Sequence, residues 1–154
     1  MQSRPGTYAL VLKASSDQQV EIGKLGPLRV RPGFYVYVGS AFGPGGLEAR
    51  IAHHVRLSEK PHWHMDYLRP AIDLHEVWYT YDSRRREHHW AGVLAGFGGA
   101  DIPVTGFGAS DCRCKSHLYF FNRPPSKTRF RRRLHASLDS HGRIFTQKSL
   151  DKVK

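Results

Sequence analysis

Cysteine is scarce in this chain of 154 residues, which has two, Cys112 and Cys114, and acidic residues are also few. Two cysteines this close in sequence do not make a disulfide framework, so we expect a reducing compartment and a cytoplasmic protein. No apolar run is long enough to cross a bilayer, and the first residues have no signal-peptide pattern. These absences argue against a membrane partner and against export.

Basic residues are abundant instead. The chain has 24 Lys and Arg against 13 Asp and Glu, which gives a net charge of +11. On one small domain, this excess is the electrostatic pattern of a nucleic-acid-binding protein. A membrane-surface protein would need a helix that is basic on one side and apolar on the other, and no segment has that pattern. We therefore expect a nucleic-acid partner.

Strand and helix patterns follow one another along residues 1–122. Runs of β-branched and aromatic residues predict strands over residues 7–13, 34–38, 74–81 and 117–121, and a hairpin-like pair over residues 19–25 and 28–31. Apolar spacing predicts a helix over residues 46–57 and a second helix that Asp82 or Ser83 caps and that ends near Ala95. A short helix is predicted over residues 61–70, between two prolines.

The composition changes at residue 123, where a basic segment begins. We expect one folded domain over residues 1–122 and a basic C-terminal tail over residues 123–154. The tail is predicted to be a mobile arm, a short helix that forms on binding, or a solvated tail that only adds solubility. Its candidate nucleic-acid contacts are Lys127, Arg129, Arg131, Arg132 and Arg133.

A glycine-rich turn follows the strand that ends in Tyr37-Val38-Gly39-Ser40, and a helix follows the turn. A helix that begins here points its unpaired N–H groups at whatever lies above the strand, which is often a phosphate. The spacing of the glycines is neither that of a P-loop nor that of a dinucleotide fingerprint. Ser40, Gly45 and Arg56 are therefore candidate nucleic-acid contacts, and an ordinary strand-to-helix connection is the alternative.

Two polar residues border the buried face of the predicted helix over residues 46–57. Leu47, Ile51 and Val55 form that face, and Arg50 and His54 lie three or four positions from them. An arginine and a histidine beside a candidate anion site form a plausible phosphate clamp. A structural role for His54 is the alternative.

Glu87 falls on the face of the second long helix that Trp90, Ala91 and Leu94 bury. An unpaired carboxylate on a buried face costs several kcal/mol, so a cation is expected beside it. The candidates are a divalent metal, Arg50 or a histidine. The alternative is that the side chain reaches water at the edge of the face.

These motifs resemble the GIY-YIG endonuclease family over about residues 6–121. The first family motif matches Gly6-Thr7-Tyr8 and the second matches Tyr37-Val38-Gly39, while the helix arginine, a histidine one turn later and the metal-binding glutamate match Arg50, His54 and Glu87. Longer phrases, such as the one that begins at His62-Trp-His-Met-Asp-Tyr, resemble a subgroup that also occurs fused to a base-excision repair enzyme. This resemblance also implies a repair-protein partner.

The resemblance implies an α+β fold with a small central antiparallel sheet of about three main strands, flanking helices and an inserted hairpin. It implies a metal-dependent endonuclease that hydrolyses DNA phosphodiester bonds in repair or recombination. Tyr8 would be the base or would position the water, Tyr37 would orient the phosphate, Arg50 would stabilise the developing charge, and Glu87 would hold Mg²⁺ or Mn²⁺. Because the ordinary pKa of tyrosine is about 10, His54 is the second candidate for proton acceptor. The alternative function is a nucleic-acid-binding module on the same fold without catalysis.

A Cys-x-Cys-x-x-His pattern runs from Cys112 through Cys114 to His117. With a fourth ligand such as His62, His64 or His135 it could bind a soft metal, but zinc sites usually pair their ligands at spacings of two to four residues. The set is incomplete, so structural zinc is not expected. The alternative is a loop that packs over the active site with reduced thiols.

Overall fold

The computed structural model describes residues 1–109, 114–138 and 140–148. Its strands are β1 (Gly6–Ala14), β2 (Gln18–Glu21), β3 (Pro27–Val30), β4 (Gly33–Ala41), β5 (Asp73–Thr80), β6 (Leu118–Phe121) and β7 (Ile144–Lys148). Its α-helices are α1 (Gly46–Val55), α2 (His64–Leu68), α3 (Glu87–Ala95) and α4 (Lys127–Ser137). Five strands form an antiparallel sheet in the order β6-β4-β1-β5-β7. The predicted α+β fold, with an antiparallel sheet and flanking helices, is confirmed.

Both faces of the central strand β1 are buried, which explains its nearly continuous apolar sequence. Tyr8 and Leu10 face one hydrophobic core and Ala9 and Val11 face the other, because successive side chains of a strand point to opposite faces. Buried residues of α1 and α2 belong to the first core, and those of α3 and α4 belong to the second: Leu47, Ile51, Met65, Leu68, Trp90, Leu94, Phe130 and Leu134.

The predicted hairpin between β1 and β4 forms a separate two-stranded sheet of β2 and β3. A 3-10 turn over Gly23–Leu25 joins the two strands. Ile22, Leu28 and Val30 are buried in the first core, so the hairpin is anchored to the domain. None of the helices in the described part of the chain has the length and apolar composition needed to cross a membrane.

The segment after residue 122 is part of the fold, so the prediction of a separate basic tail is wrong for its described residues. Helix α4 buries Phe130 and Leu134 in the second core, and β7 pairs with β5 at one edge of the sheet. The side chain of Ser126 accepts a hydrogen bond from the N–H of Arg129 and caps α4. With β7 at one edge and β6 at the other, the main sheet of the described residues has five strands instead of about three.

The helix that carries Glu87 begins later than predicted. It starts at Glu87 itself, so neither Asp82 nor Ser83 caps it. The carboxylate of Asp82 instead accepts hydrogen bonds from the N–H groups of Arg84 and Gly142 and from Nε of Arg86. These bonds fix the turn that leads from β5 to α3, and they join it to the chain before β7.

Candidate active site

One pocket, with a volume of about 370 Å³, lies where the first core meets the start of α3. The side chains or backbones that line it come from β1, β4, α1, α3 and three connecting segments: Tyr8, Tyr37, Gly39, Ser40, Arg50, His54, Trp63, Arg85, Glu87, His88, Gly108 and His117. The five residues predicted as catalytic, Tyr8, Tyr37, Arg50, His54 and Glu87, therefore lie around the same cavity.

The two tyrosines lie on neighbouring strands. Tyr8 of β1 is opposite Gly39 of β4, and Tyr37 is opposite Leu10, so both tyrosines project from the same face, with ring centroids 6.4 Å apart. A Cβ atom at residue 39 would lie 2.5 Å from the ring and hydroxyl of Tyr8. Glycine is therefore required at residue 39, because a side chain there would displace the Tyr8 ring.

His54 contacts the hydroxyl of Tyr8. The hydroxyl oxygen of Tyr8 lies 2.7 Å from Nε2 of His54, and both side chains are about 1 % exposed. His54 is in the last turn of α1, whose final carbonyl groups need partners outside the helix. The buried Arg69 provides them, since its guanidinium donates hydrogen bonds to the backbone oxygens of His54 and Val55.

Arg50 is held by two contacts on one wall of the pocket. Its Nη1 donates a hydrogen bond to the backbone oxygen of Ser40 at 3.0 Å, and its guanidinium lies 4.3 Å from the ring centroid of Trp63. Stacking on an aromatic ring and bonding to a carbonyl both suit the planar arginine side chain and restrict its orientation. One face of the guanidinium is thus fixed while the residue lines the cavity.

The position of Trp63 depends on Asp66. The carboxylate of Asp66 accepts hydrogen bonds from the N–H groups of His62 and Trp63 and lies 2.7 Å from Nε2 of His53. Burial raises the pKa of this carboxyl, but the hydrogen bonds from His62, Trp63 and His53 outweigh burial, and the pKa is lowered. An ionised Asp66 therefore holds the chain that carries Trp63 against α1.

Glu87, the first residue of α3, is the one acidic side chain among the described residues that line the pocket. Its Oε2 lies 3.0 Å from Nδ1 of His117. Burial raises the pKa of Glu87, but a hydrogen bond and charge from His117, the charge of His88 and a hydrogen bond from Ser40 together lower it. Glu87 is thus ionised at neutral pH, in a half-buried position at a helix N-terminus, where negative charge is favoured.

Three other titratable side chains of the pocket, Tyr8, Tyr37 and His54, are neutral at neutral pH. Burial raises the pKa of Tyr8 well above its ordinary value, and Tyr37 adds to this effect while the charge of Arg50 opposes it. Burial and the charge of Glu87 also raise the pKa of Tyr37. Burial, together with the charges of His53 and Arg50, lowers the pKa of His54 to about 3. The pocket therefore presents two phenols and the neutral imidazole of His54 beside the guanidinium groups of Arg50 and Arg85 and the carboxylate of Glu87.

Several pocket residues have no role in the prediction from sequence. Arg85 lies beside the cavity with its guanidinium 4.6 Å from the ring centroid of Phe42. His88 follows Glu87 on α3. Gly108 also lines the pocket; its φ is 66°, and a Cβ atom there would lie 2.8 Å from the ring of Tyr37, so both its backbone and its surroundings favour glycine. The basic residues just before α3 could have indicated Arg85 as a phosphate contact from the sequence alone. Gly108 comes from a loop that no local pattern places.

Two of the predicted nucleic-acid contacts, Gly45 and Arg56, do not line the pocket. The prediction of an anion site at the start of α1 is wrong, because its N–H groups already have partners. The N–H of Leu47 bonds to the backbone oxygen of Arg4, and the N–H of Glu48 bonds to that of Gln2. The residues before β1 thus use the amide groups that were expected to face a phosphate. Gly45 adopts a φ of 84° before α1, and Arg56 is exposed beside a different, mainly apolar hollow.

The predicted basic contacts of α4 differ in their surroundings. Nζ of Lys127 lies 3.6 Å from Oε2 of Glu76, and the guanidinium of Arg133 lies 4.7 Å from the ring centroid of Phe97. Both cations are thus engaged within the fold. The remaining three residues are exposed or half-buried on the outer side of the helix: Arg129, Arg131 and Arg132.

The Cys-x-Cys-x-x-His pattern is partly described, since Cys112 and its neighbours 110–113 lie outside the described residues. Cys114 and His117 do lie together, and His88 of α3 joins them, with the three ligand atoms within 4.8 Å of one another. None of the suggested fourth ligands belongs to this group: His62, His64 and His135. Nδ1 of His64 accepts a hydrogen bond from the N–H of Gly108 instead.

No curated protein and no solved structure gives a significant match to this chain. One family model matches residues 7–140, which is most of the chain and includes every residue of the pocket. The match extends through α4, in agreement with the packing of that helix on the domain. The chain belongs to the family described as Domain of unknown function DUF123.

Proposed function

We propose that this protein is a metal-dependent endonuclease that hydrolyses phosphodiester bonds of DNA, with a role in repair or recombination. The observation that carries the proposal is the meeting of Tyr8, Tyr37, Arg50, His54 and Glu87 around one pocket. They come from four different elements of the chain, and the resemblance to GIY-YIG endonucleases predicts these five. The net charge of +11 supports a polyanionic partner.

Arg50 and Arg85 are the groups that bind the phosphate. Both line the pocket, and both are oriented by an aromatic ring, Trp63 for Arg50 and Phe42 for Arg85. Guanidinium groups pair well with phosphate oxygens and stabilise the charge that develops on them during hydrolysis. Tyr37, whose pKa is raised, keeps its proton and donates a hydrogen bond to the same phosphate.

Tyr8 and His54 form the base. The water that attacks phosphorus gives its proton to the hydroxyl oxygen of Tyr8, and the hydroxyl proton of Tyr8 passes to Nε2 of His54, 2.7 Å away. The bond from phosphorus to the leaving sugar oxygen breaks, and that oxygen takes a proton from solvent. His54 is a weak base in the unliganded pocket because its pKa is lowered to about 3. The negative charge of a bound phosphate favours the imidazolium and so raises the basicity of His54 when substrate is present.

The residues fit a hard divalent cation at Glu87. Its carboxylate is ionised, lines the pocket and is half-buried, which suits Mg²⁺ or Mn²⁺, since these ions accept one or two carboxylates and complete their coordination with water and substrate phosphate. When bound, the ion would supply charge stabilisation to the phosphate oxygens. Ser40 and His117, which contact Glu87, orient its carboxylate.

The alternative function is a nucleic-acid-binding module with the same pocket and no hydrolysis. The neutral tyrosines and the low basicity of His54 in the unliganded pocket favour it. In that case the pocket would hold a phosphate through the arginines without activating water. Binding would be sensitive to salt, and cleavage would be absent with every metal.

Cleavage of labelled single-stranded, duplex and branched DNA, with Mg²⁺, with Mn²⁺ and with a chelator, tests the proposal. We expect metal-dependent cleavage by the wild-type protein and a loss of about 100-fold or more with Glu87→Gln, while DNA affinity is retained. The matched control is Glu21→Gln, at an exposed glutamate of the hairpin, which should cleave normally. Wild-type protein that binds DNA but cleaves no substrate would support the binding module instead.

A further inference from the structure

A group of metal-binding side chains lies beside Glu87 and uses nitrogen and sulfur instead of oxygen. His88 comes from α3, whereas Cys114 and His117 come from the segment before β6. One ligand atom of each lies within 4.8 Å of the other two. Two histidines and a cysteine that meet from distant parts of the chain at this separation are typical of a metal site.

The backbone holds His117 firmly. Its N–H donates to the oxygen of Phe107 at 2.8 Å, its own oxygen accepts from the N–H of Val38 at 2.9 Å, and its side chain is buried. The backbone of His88 is positioned by α3, and the rings of the two histidines have centroids 5.8 Å apart. Separate elements therefore position the two residues, and the buried imidazole of His117 is in place before a metal arrives.

The carboxylate of Glu87 lies beside one member of the group, His117. Oε2 of Glu87 lies 3.0 Å from Nδ1 of His117. Metal-binding histidines commonly donate their other N–H to a carboxylate, which fixes the tautomer and raises the basicity of the ligand. The proximity of Glu87 to His117 is an observation separate from the three-residue group, and it agrees with a metal-binding role for His117.

The distances suit a tetrahedral site. Bonds of about 2.0–2.3 Å from zinc to nitrogen and sulfur place the ligand atoms about 3.5 Å apart, so each would move inward by about 1 Å or less. His88 is exposed and Cys114 is partly exposed, so an ion can reach the group from solvent. His88 and His117 also line the pocket, and a fourth position would face it.

We propose that His88, Cys114 and His117 bind one soft or borderline divalent cation, such as zinc, in the wall of the pocket. A thiolate with two imidazoles favours zinc over magnesium, which prefers oxygen ligands. The site is thus distinct in its ligands from a magnesium position at Glu87. With three protein ligands it keeps one coordination position for water or substrate, unlike a closed structural site.

Cobalt binding tests this proposal without DNA. Protein stripped with a chelator is titrated with Co²⁺, and we expect one equivalent to give a thiolate-to-cobalt charge-transfer band and the intense visible bands of tetrahedral coordination. Stoichiometric Zn²⁺ should remove these bands, whereas a large excess of Mg²⁺ should leave them. Wild-type protein without a charge-transfer band would overturn the proposal and would indicate that the three side chains form a metal-free cluster.

Variants identify the ligands. Cys114→Ser should lose the charge-transfer band. His88→Ala, at an exposed position, should weaken cobalt binding by about tenfold or more, since the loss of a residue that only hydrogen-bonds to a ligand already costs this much. The control is His89→Ala, whose imidazole lies 3.1 Å from the hydroxyl of Ser137, and it should bind cobalt normally. A band that survives in Cys114→Ser, with circular dichroism unchanged, would overturn the assignment. This proposal concerns the same pocket as the proposed nuclease, but the cobalt measurements use no DNA. A protein that fails to cleave DNA with Mg²⁺ could therefore still bind cobalt at this site.

Discussion

The hydroxyl oxygen of Tyr8 and Nε2 of His54 lie 2.7 Å apart, although 46 residues separate them along the chain. Tyr8 is near the start of the central strand and His54 is in the last turn of α1, so the contact exists only because α1 packs on that face of the sheet. Both groups are buried and neutral at neutral pH. Their pairing is the basis of the proposed proton transfer.

The two residues of this pair should behave as one unit in catalysis. We expect Tyr8→Phe and His54→Gln each to slow single-turnover DNA cleavage by about 100-fold or more, and the double variant to be little slower than either single variant. Glutamine at residue 54 can still accept a hydrogen bond from Tyr8 but cannot take its proton. Tyr67→Phe, outside the pocket, is the control. If His54→Gln cleaves at the wild-type rate, His54 does not accept the proton.

A second prediction concerns the glycine that makes room for Tyr8. In Gly39→Ala the new Cβ would lie 2.5 Å from the buried Tyr8 ring, so we expect a loss of about 1–3 kcal/mol in the free energy of unfolding and a large loss of cleavage. Gly43→Ala is the matched control, since a Cβ there meets nothing within 4 Å. Urea unfolding measures both. Equal stability of the two variants would show that the Tyr8 ring can move aside.

The fold could be predicted where sequence patterns are local. The strand over residues 7–13 and the face of α3 with Trp90, Ala91 and Leu94 are where the periodicity indicates. The edge strand β7 is shorter than β1 and mixes polar with apolar residues, so its sequence has no clear strand pattern. Helix α4 does have a signal, since Ser126 precedes Phe130 and Leu134 at helical spacing, but its many arginines suggest a solvated tail.

The candidate site could also be predicted in part, but from the resemblance to a family and not from local periodicity. The tyrosines, Arg50 and Glu87 belong to motifs with a known resemblance. Trp63, Arg85 and Gly108 reach the pocket through tertiary packing: an ionised Asp66 holds the chain at Trp63, and Gly108 fits against the Tyr37 ring. Local spacing contains no information on such contacts. The same holds for His88, whose proximity to Cys114 depends on where α3 lies.

Stability should depend on pH through His54. Burial, with the charges of His53, Arg50 and Arg69 outweighing that of Asp66, lowers the pKa of His54 to about 3. The unfolded chain takes up this proton near pH 6.5 and the folded protein does not until about pH 3, so stability is highest above pH 6.5 and falls as the pH decreases.

Urea unfolding at pH 7.5 and pH 5.0 measures this effect. Between these values we expect the wild-type protein to lose about 2 kcal/mol more than His54→Gln, whose side chain does not titrate. The chosen range lies above the pKa values of Glu87, Asp66 and Asp82, which are all lowered, so carboxylates contribute little. Identical pH dependence of the two proteins would mean that His54 is solvated enough to be protonated in the folded state.

The last prediction concerns the outer side of α4. Because Phe130 and Leu134 anchor this helix to the second core, its exposed arginines are held at fixed positions. We expect Arg129→Ala and Arg132→Ala each to reduce the slope of log affinity against log salt for duplex DNA by about 0.9, with little change in stability. The control is Arg29→Ala, at an exposed arginine of the hairpin, and it should leave the slope unchanged.

Arg133→Ala should behave differently. Its guanidinium lies over the ring of Phe97 and donates a hydrogen bond to the backbone oxygen of Gly96. The substitution should therefore lower the free energy of unfolding by about 1 kcal/mol and have a smaller effect on the salt dependence than Arg132→Ala. Fluorescence anisotropy at several salt concentrations, with urea unfolding of the same samples, separates the two effects. Unchanged slopes in Arg129→Ala and Arg132→Ala would remove α4 from the DNA-binding surface and leave the pocket arginines as the phosphate contacts.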